Sequence, residues 1–194
     1  MVPRACSCQP GDLSMDIEST LRAIGKSHGY VEIKEKQSDA ILAFVSGKDV
    51  FVSLPTGYGK SFCYQCLPLL FDILQSHEVR TSIAVVVTPL AAIMKDQVSD
   101  LDGKQISAVQ VTSSMDEIVE GEILCGKFSI IYISPELLLK KAKWRDMLRS
   151  DLFQQRMVGF IVDEAHCVKK WYVNFIIIIT FGQYHHKYYC PLQG

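Results

Sequence analysis

The sequence has no excess of charge of either sign. Twenty Lys and Arg residues stand against 21 Asp and Glu residues, which leaves a formal net charge of −1 over 194 residues. A broad basic surface that attracts nucleic acid or anionic membranes requires a clear surplus of positive charge. The composition therefore excludes a global electrostatic attraction to DNA, and any contact with a nucleic acid has to be local.

Long apolar segments and a cysteine pattern are also missing. The most apolar stretch, residues 173–181, has about half of the roughly 20 residues that a membrane-spanning helix needs. The first 11 residues contain no apolar core of the kind found in signal peptides. The seven cysteines are odd in number and scattered, which argues against a disulfide framework. We expect an intracellular protein in a reducing compartment, with no membrane contact.

What the chain does contain is an alternation of short apolar runs and amphipathic stretches between residues 49 and 164. The runs are rich in β-branched residues, as expected of strands covered on both faces, and intervals of about a dozen residues suit crossover helices. This pattern predicts an α/β fold in which a parallel sheet is wrapped by helices on both faces. The predicted strands lie in DVFVSL, SIAVVVT, SAVQVT, FSIIYIS and VGFIVDE, with helices starting near Lys60, Leu90, Met115 and Glu136. Two further helices are predicted upstream, one from Ser14 with Gly25 just past its end and one over residues 34–45.

A glycine-rich turn follows the first predicted strand and opens the next helix. Glycines let backbone N–H groups approach phosphate oxygens, and a helix N-terminus adds partial positive charge. In the phosphate-loop pattern the lysine meets the β and γ phosphates and the following hydroxyl binds Mg²⁺. Leu54 departs from that pattern at its first glycine, so an ordinary strand-to-helix turn with an exposed lysine is the alternative. The turn consists of Thr56, Gly57, Tyr58, Gly59, Lys60 and Ser61.

Two adjacent carboxylates end the last predicted strand. Because ligands of open parallel sheets bind at the carboxyl ends of the strands, Asp163 and Glu164 are expected to face the same crevice as the glycine-rich turn. One carboxylate can hold Mg²⁺ while its neighbour orients the attacking water. We assign Asp163 to the metal and Glu164 to the water. The alternative is that both residues only stabilise the start of the next helix.

These motifs resemble the first motor lobe of RecQ-type DNA helicases in superfamily 2. The segment TGYGKSFCYQ resembles motif I of that family and DEAHC its motif II. VVVTPLAAIMKDQV resembles motif Ia, IIYISPELL motif Ib, and IKEKQSDAI the segment that recognises adenine. Together they cover about residues 30–171. The resemblance implies a single RecA-like P-loop NTPase lobe, with ATP and Mg²⁺ as cofactors and a nuclear location.

The resemblance also implies roles for residues outside the two main motifs. Gln37 would read the adenine edge, with Lys34 as the basic residue beside it. His166 would relay the nucleotide state towards the DNA side. One DNA strand would be held through its backbone, without reading sequence. The expected strand contacts are Thr88, Pro89, Leu90, Ser134, Pro135 and Glu136.

The family pattern stops near Trp171. In the family an aromatic-rich loop follows, but Tyr172 replaces its glycine, Asn174 its acid and Ile176 its arginine. Neither motif III nor a second RecA-like lobe follows. Arginines from that lobe stabilise transition-state charge, and an arginine finger is worth roughly 10³ to 10⁵ in rate in related hydrolases. We therefore expect a lobe that binds ATP and barely hydrolyses it; the alternative function is a non-catalytic nucleotide- or DNA-binding module.

Smaller signals carry less weight. Cys63 and Cys66 form a C-x-x-C without a second ligand pair, so packing is preferred over a metal site. His185 and His186 lie beside tyrosines but have no partner cluster. The basic segment LLLKKAKWR is interpreted as a solvated helix face, with contact to DNA as the alternative. The predicted organisation is a disordered tail at residues 1–13, the ATP-binding lobe at 14–171, and an aberrant apolar and aromatic tail at 172–194.

The tail generates a prediction about the gene. The codons of Trp171, Tyr172 and Val173 can contain GTATGT, a common intron start, and the isoleucine run suits AT-rich noncoding DNA. We expect residues 172–194 to be translated intron, and the check is the genomic sequence aligned with transcripts. An uninterrupted exon through codon 194, with no coding continuation downstream, would contradict this expectation.

Overall fold

Two helices precede the sheet. The computed structural model describes the backbone of residues 10–55, 57–163 and 175–179. Helix α1 spans Pro10–Ser27 and α2 spans Glu35–Val45. The second helix confirms the prediction, with Lys34 at its N-cap. The first begins four residues before Ser14, inside the predicted tail, and runs through Gly25. A glycine is tolerated there because its missing Cβ leaves room for Ile33, whose Cγ1 would lie 3.1 Å from an added Cβ.

Five of the six strands in the described residues follow the predicted order. Strands β1 to β4 fall within their apolar runs, β5 starts one residue before its run, at Met157, and each crossover contains at least one helix where one was predicted. The elements are β1 (Val50–Ser53), α3 (Phe62–Gln65), α4 (Leu67–Leu74), β2 (Ile83–Val87), α5 (Ala91–Gly103), β3 (Ala108–Gln110), α6 (Glu117–Leu124), β4 (Ile130–Ile133), α7 (Pro135–Lys140), α8 (Ala142–Arg149), α9 (Asp151–Arg156), β5 (Met157–Val162) and β6 (Phe175–Ile179).

The sheet has the strand order β1-β6-β5-β2-β4-β3. Strand β2 pairs in parallel with both β4 and β5, and β3 pairs in parallel with β4. Strand β6 runs antiparallel to both of its neighbours, β1 and β5. It follows that β1 points the same way as β5. The predicted parallel sheet is confirmed, and β6 is an additional reversed strand that the pattern of apolar runs did not predict.

Helices cover both faces of the sheet, as predicted. One core cluster joins α1, α2, α3, α4 and α5 to one face, through side chains such as Phe44, Leu67 and Val86. The other joins α6, α8 and α9 to the opposite face, around Trp144 and Phe153. The sheet residues alternate between the two clusters, as the period of two in a strand requires. All five residues of β2 are buried, which explains why that run is continuously apolar.

The two cysteines of the C-x-x-C lie in the first core cluster. Cys63 and Cys66 are fully buried free thiols, and burial raises the pKa of Cys63 to about 12. A buried, protonated thiol packs as a small apolar side chain. Within the described residues no group of three or more His, Cys, Asp or Glu side chains is placed to hold a metal ion. No described helix has the length and apolar character needed to cross a membrane.

The position of β6 generates a test of the sheet. Ile177 pairs with Phe51 on one side and Val162 on the other. Proline at position 177 removes a ladder N–H between two strands, so Ile177→Pro should lower the free energy of unfolding by about 1–3 kcal/mol. Chemical denaturation measures the loss, and Ile177→Val, which keeps the N–H, is the control. Equal stability of the two variants would show that β6 does not pair inside the sheet.

Candidate functional site

The predicted site residues lie at one edge of the sheet because four strands end there in the same direction. The glycine-rich turn follows β1, Asp163 follows β5, and Thr88 and Ser134 follow β2 and β4. Backbone bonds fix neighbouring ends to each other: the N–H of Asp163 donates to Val87 O at 2.9 Å, and the N–H of Thr88 donates to Ile133 O at 3.1 Å. The edge is the one at which open parallel sheets bind ligands.

The turn has the backbone conformation that its glycines allow. Gly57 has φ +78° and Gly59 has φ +87°, in the left-handed region that other residues avoid. The chain then enters α3, so the turn stands at the start of a helix. Lys60 folds back over the turn, where its Nζ donates to Leu54 O at 2.9 Å and to Pro55 O at 3.3 Å. The ammonium group therefore lies in the concave side of the loop that leaves β1.

Gln37 links α2 to this turn. Its side chain is buried, and its Oε1 accepts from the Lys34 N–H at 2.9 Å, which closes the first turn of α2 in the manner of a capping box. Its Nε2 donates to Gly59 O at 2.8 Å and to Tyr58 O at 3.3 Å. Lys34 Nζ also donates to Tyr58 O, at 3.1 Å, and lies 4.2 Å from the centre of the Tyr58 ring. The predicted adenine-recognising residues and the predicted phosphate-binding turn are thus one connected unit.

Tyr30 also contacts the turn, which the sequence analysis did not anticipate. Its hydroxyl lies near the Ser61 side chain, and its ring packs on Phe62 with the ring centres 4.6 Å apart. Burial raises the pKa of Tyr30, so the hydroxyl stays protonated at neutral pH. An aromatic residue seven positions before Gln37 was the available signal, but its contact depends on how α1 and α2 meet, which a sequence pattern does not express.

Asp163 lies at the end of β5, at the same edge of the sheet as the glycine-rich turn. The residue is 8% exposed, and Tyr64 Oη donates to its Oδ2 over 3.3 Å. Because Tyr64 lies one turn after Ser61, this contact connects the start of α3 with the end of β5. The two residues predicted to bind a metal ion, Ser61 and Asp163, are therefore attached to the same corner of the sheet.

The six residues predicted to contact a DNA strand differ in how far their side chains are exposed. Leu90 and Glu136 are exposed, and Pro89, Ser134 and Pro135 are half-buried. Ser134 Oγ accepts from Leu137 N at 3.3 Å and caps α7. Thr88 is only 1% exposed, and its Oγ1 has no hydrogen-bond partner among the described atoms. Five of the six residues are thus accessible at this edge, while Thr88 lies beneath them.

Several predicted functional residues lie outside the described residues. These are Thr56 in the glycine-rich turn, and Glu164 and His166 after β5. The loop predicted to depart from the family pattern, from Trp171 to Asn174, and the pair His185 and His186 lie outside them as well. The roles assigned to all of these residues stay predictions.

Comparison with known proteins agrees with the predicted resemblance. A family model described as DEAD/DEAH box helicase matches residues 34–183. The ATP-dependent helicase wrn-1 of Caenorhabditis elegans is 35% identical over 156 residues, which are 79% of this chain and 14% of that protein. The ATP-dependent DNA helicase RecQ of Haemophilus influenzae is 31% identical over 158 residues, 79% of this chain and 23% of that protein. The chain thus spans less than a quarter of the length of these relatives.

A solved structure shares the fold. A crystal structure of the DUF1998 helicase MrfA bound to DNA and AMPPNP superposes with a TM-score of 0.61 over 86% of this chain and 22% of that chain. The sequences are 18% identical, so the likeness concerns the fold alone. It confirms the predicted helicase-like α/β lobe.

The contact between Gln37 and the turn can be tested by adding one methyl group. A Cβ at Gly59 would lie 2.8 Å from Gln37 Nε2, whereas a Cβ at Gly57 meets no described atom within 4 Å. Both alanine variants force an unfavourable φ, which costs about 1–2 kcal/mol each. Gly59→Ala should lose a further ~1–3 kcal/mol from overpacking, measured by chemical denaturation.

A double-mutant cycle isolates that further loss. In a Gln37→Ala background, the cost of Gly59→Ala should fall to that of Gly57→Ala, because the atom it clashes with is gone. An unchanged cost in that background would mean that Gln37 does not contact the turn.

Proposed function

Because the chain belongs to the DEAD/DEAH box helicase family, we propose that it is the ATP-binding lobe of a RecQ-like ATP-dependent DNA helicase. In the full-length parent this lobe would couple ATP hydrolysis to 3′ to 5′ translocation along one DNA strand and to unwinding. The observation that carries the proposal is the convergence of the glycine-rich turn, Gln37 and Asp163 on one edge of the sheet. A nuclear location belongs to the same proposal.

The turn supplies the phosphate contacts. Lys60 Nζ is bound to two backbone carbonyls of its own loop. A carbonyl oxygen carries only partial negative charge, so ionised phosphate oxygens would bind the Lys60 ammonium more strongly and replace that carbonyl. The residues from Thr56 to Ser61 would add backbone N–H donors and the partial positive charge of the start of α3.

Recognition of the adenine base would use one lone pair on the side-chain oxygen of Gln37. Both N–H bonds of the Gln37 amide donate to the turn, and its oxygen accepts one bond from Lys34 N. An amide oxygen accepts two bonds, so one acceptor position is left by these contacts. It would accept the exocyclic amine of adenine, while the Lys34 side chain would lie along the base. Gln37 would then sense the base and hold the turn at the same time.

The donor set at this corner fits Mg²⁺. Ser61 offers a hydroxyl and Asp163 a carboxylate, and hard oxygen donors supplemented by phosphates are what Mg²⁺ prefers. When bound, the cation would neutralise charge on the transferred phosphate. Glu164 would orient and deprotonate the attacking water, and His166 would relay the state of the site towards the strand. Pro89, Leu90 and the start of α7 would bind the DNA backbone.

The first test is nucleotide binding. Lys60→Ala removes a charge-assisted phosphate contact and should weaken binding of Mg²⁺ with a fluorescent ATP analogue by about ten- to a hundredfold. Lys48→Ala is the matched control, because Lys48 is exposed and lies beyond the opposite end of β1. Equal affinity of the two variants would contradict a phosphate-binding role for the turn.

The second test distinguishes a motor lobe from a binding module. Steady-state ATP hydrolysis is measured with and without single-stranded DNA for this chain, and for the chain mixed with the second lobe of a RecQ relative. Turnover that DNA stimulates and Lys60→Ala abolishes supports the helicase lobe. Tight binding without turnover under both conditions supports the alternative, a non-catalytic nucleotide- or DNA-binding module.

A further inference from the structure

Four polar side chains form a hydrogen-bonded cluster beneath the candidate site. Tyr64 and Gln65 come from α3, Gln97 from α5 and Tyr132 from β4. Tyr64, Gln65 and Tyr132 are almost completely buried, at 0%, 3% and 1% exposure. Tyr64 Oη, Gln65 Nε2 and Tyr132 Oη each lie 2.9 Å from Gln97 Oε1, and Gln65 Nε2 lies 3.4 Å from Tyr132 Oη. Such a cluster costs desolvation energy that an apolar core would avoid, so its presence calls for a reason.

The cluster contains more donors than Gln97 can use. An amide oxygen has two lone pairs, but three donors converge on Gln97 Oε1. Tyr64 has one hydroxyl proton and two acceptors within reach, Gln97 Oε1 at 2.9 Å and Asp163 Oδ2 at 3.3 Å. If Tyr64 donates to Asp163, then Tyr132 and Gln65 satisfy Gln97. If Tyr64 donates to Gln97, the three donors compete for it. The cluster therefore has two arrangements of one proton.

The charge of Asp163 selects between the two arrangements. A carboxylate that holds no metal cation attracts the Tyr64 proton more strongly than an amide oxygen does. A cation on the carboxylate offsets that attraction, and the hydroxyl turns towards Gln97. Burial is the main cause that raises the pKa of both Tyr64 and Tyr132, so both hydroxyls keep their protons at neutral pH. The change is a rotation of one O–H bond, and no proton leaves the tyrosine.

Two elements of the cluster, α5 and β4, adjoin the segments proposed to contact a DNA strand. Gln97 lies on α5, which begins directly after Leu90. Tyr132 lies on β4 two residues before Ser134, the cap of α7. A change of hydrogen-bond partner at Gln97 therefore acts on α5, which follows the proposed DNA-contact segment at residues 88–90. It also acts on β4, which precedes the proposed DNA-contact segment at residues 134–136.

We propose that Tyr64, Gln97 and Tyr132 are positioning residues that transmit occupation of Asp163 by a metal–nucleotide complex to both proposed strand-contact segments. This inference rests on the proposed function, because it takes Asp163 as the metal-binding carboxylate. None of the three side chains is required to touch nucleotide or DNA. Their task is to change how firmly α5 is attached to α3 and β4.

Hydrogen–deuterium exchange of α5 tests the inference. The chain is measured alone, with a non-hydrolysable ATP analogue plus Mg²⁺, and with the analogue plus EDTA. When the analogue and Mg²⁺ are both present, Tyr64 becomes a donor to Gln97 in competition with Gln65 and Tyr132, and this change of donors should alter the exchange rate of the α5 amides by about two- to tenfold. The analogue with EDTA should leave α5 unchanged while still protecting the glycine-rich turn.

Two substitutions and one control separate transmission from simple packing. Tyr64→Phe keeps the ring and removes the proton that lies within reach of both acceptors, so the Mg²⁺-dependent change in α5 should disappear although nucleotide still binds. Gln97→Leu should have the same effect. Gln154→Leu is the matched control: Gln154 is also half-buried and hydrogen-bonded, to Leu148 O, but lies on α9 against the opposite face.

Each result has a defined meaning. Loss of the α5 response in Tyr64→Phe and Gln97→Leu, with retention in Gln154→Leu, supports the inference. The inference is overturned if the wild-type chain binds Mg²⁺ and analogue without a change in α5, if EDTA gives the same change, or if Tyr64→Phe responds like the wild type; the proposed function survives these results. Failure of the wild-type chain to bind the analogue at all overturns the proposed function, and the inference with it.

Discussion

The positions of Asp163, Thr88 and Ser134 in the candidate site depend on the pairing of β2 with its two parallel neighbours. Strand β2 is bonded to β5 on one side and β4 on the other, and both of its faces are covered by core clusters. The register of these two ladders places the ends of the three strands side by side: Asp163 bonds to Val87, and Thr88 bonds to Ile133. A shift of one residue would move every side chain to the other face, so burial on both faces enforces the register. The buried strand β2 therefore sets the positions of these polar residues at the edge of the sheet.

The strands and their order along the chain were predictable because a doubly covered parallel sheet demands continuous apolar runs, and the sequence has five of them. Position along the chain also predicted that the glycine-rich turn and Asp163 would share an edge. The state of individual polar groups was not predictable. Gln37 was predicted to read the adenine edge, and the structure adds that its amide binds the turn and Lys34. Thr88 was predicted to contact a DNA strand, and the structure adds that its side chain is buried. Both outcomes depend on three-dimensional neighbours that come from distant parts of the chain.

Strand β6 shows a different limit of sequence reasoning. The isoleucine run was interpreted as part of an aberrant tail, since it departs from the family pattern after Trp171. In the structure residues 175–179 nevertheless pair with both β1 and β5. Among the described strands, β1 is bonded only to β6, so the strand that leads into the glycine-rich turn is attached to the sheet through this segment. An apolar run is compatible with a parallel or an antiparallel strand, because the order of apolar residues does not specify the direction in which the strand runs. The apolar composition of residues 175–179 is therefore compatible with the antiparallel pairing of β6 with β1 and β5 but does not specify it.

The polar cluster around Gln97 follows from the same arrangement. Helix α3 must start at the end of β1 to place Lys60 and Ser61, and this brings Tyr64 and Gln65 over the ends of β4 and β5. Apolar side chains could fill that space with less desolvation, and replacing buried polar groups by well-packed apolar ones is often neutral or stabilising. Stability therefore does not account for two tyrosines and two glutamines meeting at one oxygen. An arrangement that leaves one proton shared between Asp163 and Gln97 does account for them, because it lets a charge at the edge of the sheet alter contacts in its interior. Packing dictates where these four residues meet, and the proposed coupling role would account for their polarity.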